Sequence, residues 1–239
     1  TPIGIDSLDV HFTVTENHKV YINNIIVQGN TRTRENVIRR QLRVFPGDVY
    51  NQERIARSYR EVMMLNFFAN AAPNILPVSE DKVDVEFNVE EKPAGQASAN
   101  MGYSQYLGLT GGGGITLPNF RGKGQSLSFS FNAGVSGGGQ NLGYQSYNSN
   151  TPKSRSASIS FTDPMVNDTK NLVGGSLYYR MTGGSTLYYS PLETTIAGAS
   201  IMLGRIFKWP DDFFRGTWQL QINRRKYEGS QADIDNYSG

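Results

Sequence analysis

The chain contains no cysteine and only two histidines among its 239 residues. Disulfide scaffolds and thiolate metal sites are therefore excluded. Its formal net charge is only +2, which gives no strong pull toward nucleic acid, where neutralised phosphates dominate binding. Long apolar runs are missing too: no stretch of about 18 such residues occurs, so no helix is expected to cross a membrane. A mean hydropathy of −0.44 does not exclude the membrane itself, because a spanning β-barrel gives half of each strand to a polar lumen. Glycine is scarce at first. Of 26 glycines, only Gly4, Gly29 and Gly47 precede residue 95. The early part carries dense charge and helical periodicity, and the later part is rich in Gly, Ser, Asn and Tyr. Two domains are expected, divided at Pro93–Gly95. No signal peptide opens the chain, which is read as starting inside a structural element.

What is present is alternation. From Gln125, Leu127, Phe129, Phe131, Ala133 and Val135 alternate with Ser126, Ser128, Ser130 and Asn132. A period of two puts these sets on opposite faces of a strand. The pattern returns in Ala157, Ile159 and Phe161, and again in Trp218, Leu220 and Ile222. Strands of about ten residues with one apolar and one polar face predict an antiparallel transmembrane β-barrel. Seven are expected: 95–106, 109–117, 125–135, 154–162, 172–181, 195–207 and 217–227. The second contains Gly111-Gly112-Gly113-Gly114, read as a weakened, bendable strand; a phosphate loop would need a helix behind it, and Ile115-Thr116-Leu117-Pro118 does not start one. Longer connections at 136–153 and 183–193 follow odd-numbered strands, as external loops would if the first strand leaves a periplasmic domain.

Before residue 95, Leu8–Glu16 and Val83–Glu91 are near-copies, with Asp9/Asp84, Val10/Val85, Phe12/Phe87, Val14/Val89 and Glu16/Glu91 coinciding. Each is expected to be a closing strand, so residues 1–18 are read as the last strand of a preceding repeat. The repeat at 19–94 predicts a β-α-α-β-β order. Thr33 is expected to cap a helix burying Val37, Ile38 and Leu42, and Asn51 a second helix with an Ile55, Tyr59, Val62 stripe. Asn66 ends the second helix.

Gly29-Asn30-Thr31-Arg32-Thr33, Pro46-Gly47-Asp48-Val49-Tyr50-Asn51 and Leu65-Asn66-Phe67-Phe68 resemble the POTRA domain, which stands in tandem on the periplasmic side of outer-membrane insertases and transporters. Farther on, Asn119-Phe120-Arg121-Gly122-Lys123-Gly124 and Phe161-Thr162-Asp163-Pro164 resemble the barrel of the BamA family of outer-membrane assembly factors. The resemblance implies an α+β POTRA domain followed by the first seven of about sixteen barrel strands, over residues 95–239.

No chemistry of catalysis is expected. His11 and His18 are read as a strand and a turn residue, and Asp163, Asp211 and Asp212 as turn residues. No cofactor, metal or nucleic-acid partner is expected. Arg224-Arg225-Lys226 is read first as a solvated patch, with lipopolysaccharide as the alternative, and Tyr178-Tyr179 and Tyr188-Tyr189 as interfacial girdle residues.

The candidate site is the first strand: Gln96, Ala97, Ser98, Ala99, Asn100, Met101, Gly102, Tyr103 and Ser104. Gly95, Ala97, Ala99 and Gly102 offer little side-chain surface for pairing, which leaves backbone groups available to another chain. The resemblance implies a lateral gate that captures the terminal strand of a client barrel, with unfolded outer-membrane proteins as clients. It also implies accessory lipoproteins, a lipid bilayer and lipopolysaccharide as partners. Family members from proteobacteria carry an acidic residue where Pro46 stands, and it helps dock a lipoprotein; Arg43 remains as a possible contact. Two-partner-secretion and TamA-like translocation proteins share the architecture and supply the alternative function. A porin-like channel is the third, disfavoured by the repeat at 19–94.

Overall fold

Alternating and 3.6-period segments both become regular elements, and their side chains explain why. The computed structural model describes residues 2–4, 7–8, 10–13, 18–93, 95–104, 108–135, 153–183, 192–207, 209 and 214–229. A small ribbon of β1 (Pro2–Gly4) and β2 (Ser7–Leu8) comes first. The first copy of the repeated phrase departs from expectation: Val10–Thr13 belong to no strand, and Phe12 is 86% exposed where its counterpart Phe87 is fully buried. Alternation makes a strand only where a ladder receives it. Asp9 and residues 14–16 of that copy lie outside the described residues.

The next module is β3 (Tyr21–Gln28), α1 (Glu35–Arg39), α2 (Gln52–Met64), β4 (Phe68–Asn70), β5 (Pro73–Ser79), β6 (Lys82–Asn88) and β7 (Glu90–Glu91). Three strands form a sheet in the order β3-β6-β5, with β3 parallel and β5 antiparallel to β6. The short strands β4 and β7 pair beside it. The two helices pack their apolar sides onto the sheet. Ile55 and Val62 of α2 are buried with Ile22, Ile25, Phe68, Val85 and Phe87, and Tyr59 packs against them half-buried. Val37 and Ile38 are the buried side of α1.

Asn51 caps α2 as expected, its side chain accepting the Arg54 N–H at 3.0 Å. Thr33 does not cap α1. The N-cap is Arg34 without a side-chain bond, and the Thr33 hydroxyl is engaged elsewhere. Gly29 is required by close approach: its φ is +86°, and a Cβ would overlap the Val89 carbonyl.

The seven remaining strands are β8 (Gln96–Ser104), β9 (Gly108–Phe120), β10 (Gln125–Val135), β11 (Lys153–Asp163), β12 (Asn171–Thr182), β13 (Glu193–Ile206) and β14 (Arg215–Glu228). They form one antiparallel meander in sequence order. Register puts Leu127, Phe129 and Phe131 opposite Phe161, Ile159 and Ala157. Leu177, Ile201, Leu220 and Ile222 extend the same face, each at least 57% exposed. So large an exposed apolar face matches a lipid-facing surface. The opposite face is tied by polar pairs, Ser130–Ser158 at 2.8 Å and Ser176–Ser200 at 2.7 Å. Among the described residues no helix is long and apolar enough to cross a membrane.

Tyr178 and Tyr179 separate onto opposite faces. The Tyr178 hydroxyl accepts from Gln221 Nε2 at 2.6 Å on the polar face, and Tyr179 lies on the apolar one. Tyr188-Tyr189, Asp211 and Asp212 lie outside the described residues.

Candidate functional site

The nine candidate residues Gln96–Ser104 form β8, at one end of the meander; of the expected span 95–106, Gly95 stands outside the strand and residues 105–106 lie outside the described residues. It is hydrogen-bonded to β9 on one side, and its other edge has no neighbour among the described residues. Ala97, Ala99, Met101 and Tyr103 share the apolar face, with Met101 82% and Tyr103 74% exposed. Gln96, Ser98, Asn100 and Gly102 share the polar one.

The structure adds a feature that the strand's own sequence does not show. Ser98, Ala99, Asn100 and Met101 stand directly opposite Gly114, Gly113, Gly112 and Gly111. Cross-strand side-chain pairs are a main source of cohesion between strands. Here one partner in each of these four pairs has no side chain, so the middle of β8 is held by backbone hydrogen bonds, while Ala97–Ile115 and Tyr103–Leu109 pair on either side of it. The space above the glycines is taken by β10 instead. A Cβ on Gly112 would overlap the Asn132 side chain, and one on Gly113 would lie 3.3 Å from Phe131 Cε1. Over the glycine run, the β9–β10 seam is thereby filled by side chains of β10.

A second assembly joins the first module to the base of the sheet. Arg40, at the C-cap of α1, donates from Nη1 to Asp168 Oδ1 (2.9 Å) and the Met165 carbonyl (3.3 Å), and from Nη2 to the Lys123 carbonyl (3.3 Å). Asn36 Nδ2 donates to both Asp168 oxygens, at 3.0 and 3.2 Å. Asn119 Nδ2 donates to the Thr33 hydroxyl at 2.7 Å, and the Arg34 N–H to the Gly122 carbonyl at 2.9 Å. Bonds from Asn36, then from Arg40, hold the Asp168 carboxyl below its ordinary range despite partial burial.

Glu91 organises the loop that enters this joint. Its carboxylate accepts the Thr33 N–H at 2.6 Å, the Arg32 N–H at 3.0 Å and the Thr31 hydroxyl at 2.9 Å. Burial alone would raise its pKa. The hydrogen bonds from Thr33, Thr31 and Arg32 outweigh burial and lower it to about 2. Sequence reasoning did not single out Glu91, although its coincidence with Glu16 in the repeated phrase was the available signal.

Arg43 lies away from β8. Its Nε donates to Glu61 at 2.9 and 3.0 Å, beside Phe45, which is 58% exposed. Asp163, expected in a turn, is the last residue of β11; its carboxylate accepts from Gln125 Nε2 at 2.8 Å and from the Met165 N–H at 3.0 Å at the start of the turn that follows.

Residues 20–92 match the POTRA family, described as a surface antigen variable number repeat. The chain is 31% identical over 172 residues to the outer membrane protein assembly factor BamA of Nitratidesulfovibrio vulgaris, covering 72% of this chain and 20% of that one. It is 27% identical over 204 residues to BamA of Neisseria meningitidis serogroup B, covering 82% of this chain and 23% of the relative. The chain thus spans about a fifth of the length of these relatives. Its fold resembles the crystal structure of BamA from Haemophilus ducreyi lacking POTRA domains 1–3, with a TM-score of 0.69 and 21% identity over 89% of this chain and 37% of that one. It also resembles CdiB from Acinetobacter baumannii, with a TM-score of 0.54 and 16% identity over 88% and 39%. With its POTRA domain followed by an antiparallel membrane sheet, the chain belongs to the BamA family of outer-membrane proteins, its POTRA domain on the periplasmic side.

Proposed function

We propose that this chain is the gate-bearing part of an outer-membrane protein assembly factor, in which the β8 backbone captures the terminal strand of a client barrel by β-augmentation. The observation that carries this reading is the glycine run opposite β8, which leaves the strand loosely joined to its neighbour. In lipid, backbone groups on an open edge strongly favour an incoming strand. The driving energy is the client's own folding and burial, so catalysis has no part in the proposal. Clients are unfolded outer-membrane proteins, which the edge of the POTRA sheet guides toward β8. Accessory lipoproteins contact the POTRA surface near Arg43 and Phe45, in a manner altered by Pro46 in place of an acidic residue. Lipopolysaccharide meets Arg155, Arg224 and Lys226, which share the apolar face near its outer end.

The likeness to CdiB favours a second reading, a two-partner-secretion or TamA-like translocation protein. The number of POTRA domains in the full-length protein separates these groups. The direct test is disulfide trapping in the full-length protein, with cysteines scanned along Gln96–Ser104 and in the terminal strand of a stalled client. Register-specific crosslinks on β8 are expected. Crosslinks confined to lumen positions on other strands would sink the gate and favour transport through the pore.

A further inference from the structure

The cleft between the POTRA domain and the base of the sheet has a volume of about 380 Å³. Its walls include Phe67, Leu117 and Phe120, with Arg32, Lys92 and Arg121 around them. We propose that it binds the headgroup of an anionic phospholipid from the periplasmic leaflet, with the acyl chains running up the apolar face of β9 and β10. This inference needs only the outer-membrane setting and is independent of strand capture by β8.

Charge and position both favour an anionic lipid. The carboxylate in the lining, Glu91, is turned onto the backbone of residues 32–33 and paired with Arg32, so it does not neutralise the remaining cations. Lys92 Nζ has a neutral partner, Asn66 Oδ1 at 2.8 Å, and keeps its charge for a ligand. Arg121 is exposed, and its guanidinium has no hydrogen-bond or ion-pair partner among the described residues. The turn holds it at a φ of +58°, a conformation that is uncommon outside glycine and asparagine. Long basic side chains beside an apolar wall suit a phosphate at the edge of a bilayer. Leu117, opposite Leu127, belongs to the apolar face, so the cleft is continuous with the surface that meets lipid tails. A soluble anion would have no use for that continuity.

The test uses the full-length protein in nanodiscs carrying trace photoactivatable phosphatidylglycerol or, in parallel, photoactivatable phosphatidylcholine. Labelled peptides are mapped after irradiation. Phosphatidylglycerol is expected to label peptides containing Phe67 or Leu117 at least fivefold more than phosphatidylcholine. The Lys92→Gln/Arg121→Gln pair is expected to erase that preference, and Arg121→Lys to keep it. Barrel folding of each variant is checked by heat-modifiable gel migration. If the paired variant fails to fold, the comparison of the two lipids in the unaltered protein decides alone. Equal labelling by both lipids would overturn the proposal, as would a preference that survives the paired substitution. Competition by millimolar inorganic phosphate or glycerophosphoglycerol would reassign the cleft to a soluble anion, and this too overturns it.

Discussion

Arg40 and Asp168 lie 2.9 Å apart across the junction between the POTRA domain and the barrel sheet, and the Arg40 side chain is only 8% exposed. A charge so nearly buried requires its partners, since removing one leaves it poorly compensated. Replacing Asp168 with Ala should weaken docking of the POTRA domain by about 1–3 kcal/mol. Spin labels on α2 and at the β11–β12 turn would show a broadened distance distribution, and an unchanged one would refute the claim. The direction with pH follows from the lowered Asp168 pKa. This contribution is fully present above the ordinary Asp range and is lost as pH falls through the lowered value. The junction should therefore hold at neutral pH and loosen only in acid.

Glu91→Gln should destabilise the POTRA domain by about 2 kcal/mol at neutral pH, because a charged acceptor of backbone N–H groups is lost. Urea unfolding followed by circular dichroism would measure the difference. The folded pKa of about 2 lies below the ordinary 4.5. The advantage of the natural residue should be complete above pH 4.5, shrink below it, and vanish below about pH 2. A difference that persisted into strong acid would refute this account.

Two glycines in the left-handed region should respond differently to alanine. Gly47 has a φ of +91° and open space around its Cβ position, so Gly47→Ala should cost only about 1 kcal/mol of backbone strain. Gly122 has a φ of +69°, and a Cβ there would overlap the Arg32 carbonyl. Gly122→Ala should cost about 3 kcal/mol or more and push the POTRA domain off the turn. Equal thermal shifts for the two variants would contradict this.

Amide hydrogen exchange in the full-length protein should rank the strands. β12 has side-chain neighbours on both sides, Ala157 and Ala197 flanking Tyr179, whereas β8 faces glycines. Backbone amides of Gln96–Ser104 should exchange at least about tenfold faster than those of Asn171–Thr182, following local opening. Comparable protection would remove the physical basis of the gate.

All seven membrane strands were legible, most plainly β10, β11 and β14, where a lipid face and a lumen face impose period-two alternation. Ends differed by a few residues, as at β9, which runs through Pro118 to Phe120. The helices were legible from the Ile55 and Val62 stripe and the Asn51 cap. Sequence reasoning failed where a local signal was overruled from afar. Thr33 has the chemistry of a cap, yet Asn119, 86 residues away, takes its hydroxyl. Val10–Thr13 repeat a strand phrase without forming a strand. The opposition of Ala99 to Gly113 also needs register, which no single strand reveals.

The bare seam beside β8 has a mechanical meaning. A sheet loaded at its edge parts where adhesion per unit length is least, and on the proposed reading that line runs between β8 and β9, along the glycine run. Phe131 and Asn132, lying over Gly113 and Gly112, bond the next seam more firmly. A pull on β8 is therefore expected to detach a single ribbon and leave six strands cohering behind it. Tearing would then have a built-in starting point and a built-in stopping point, one strand apart.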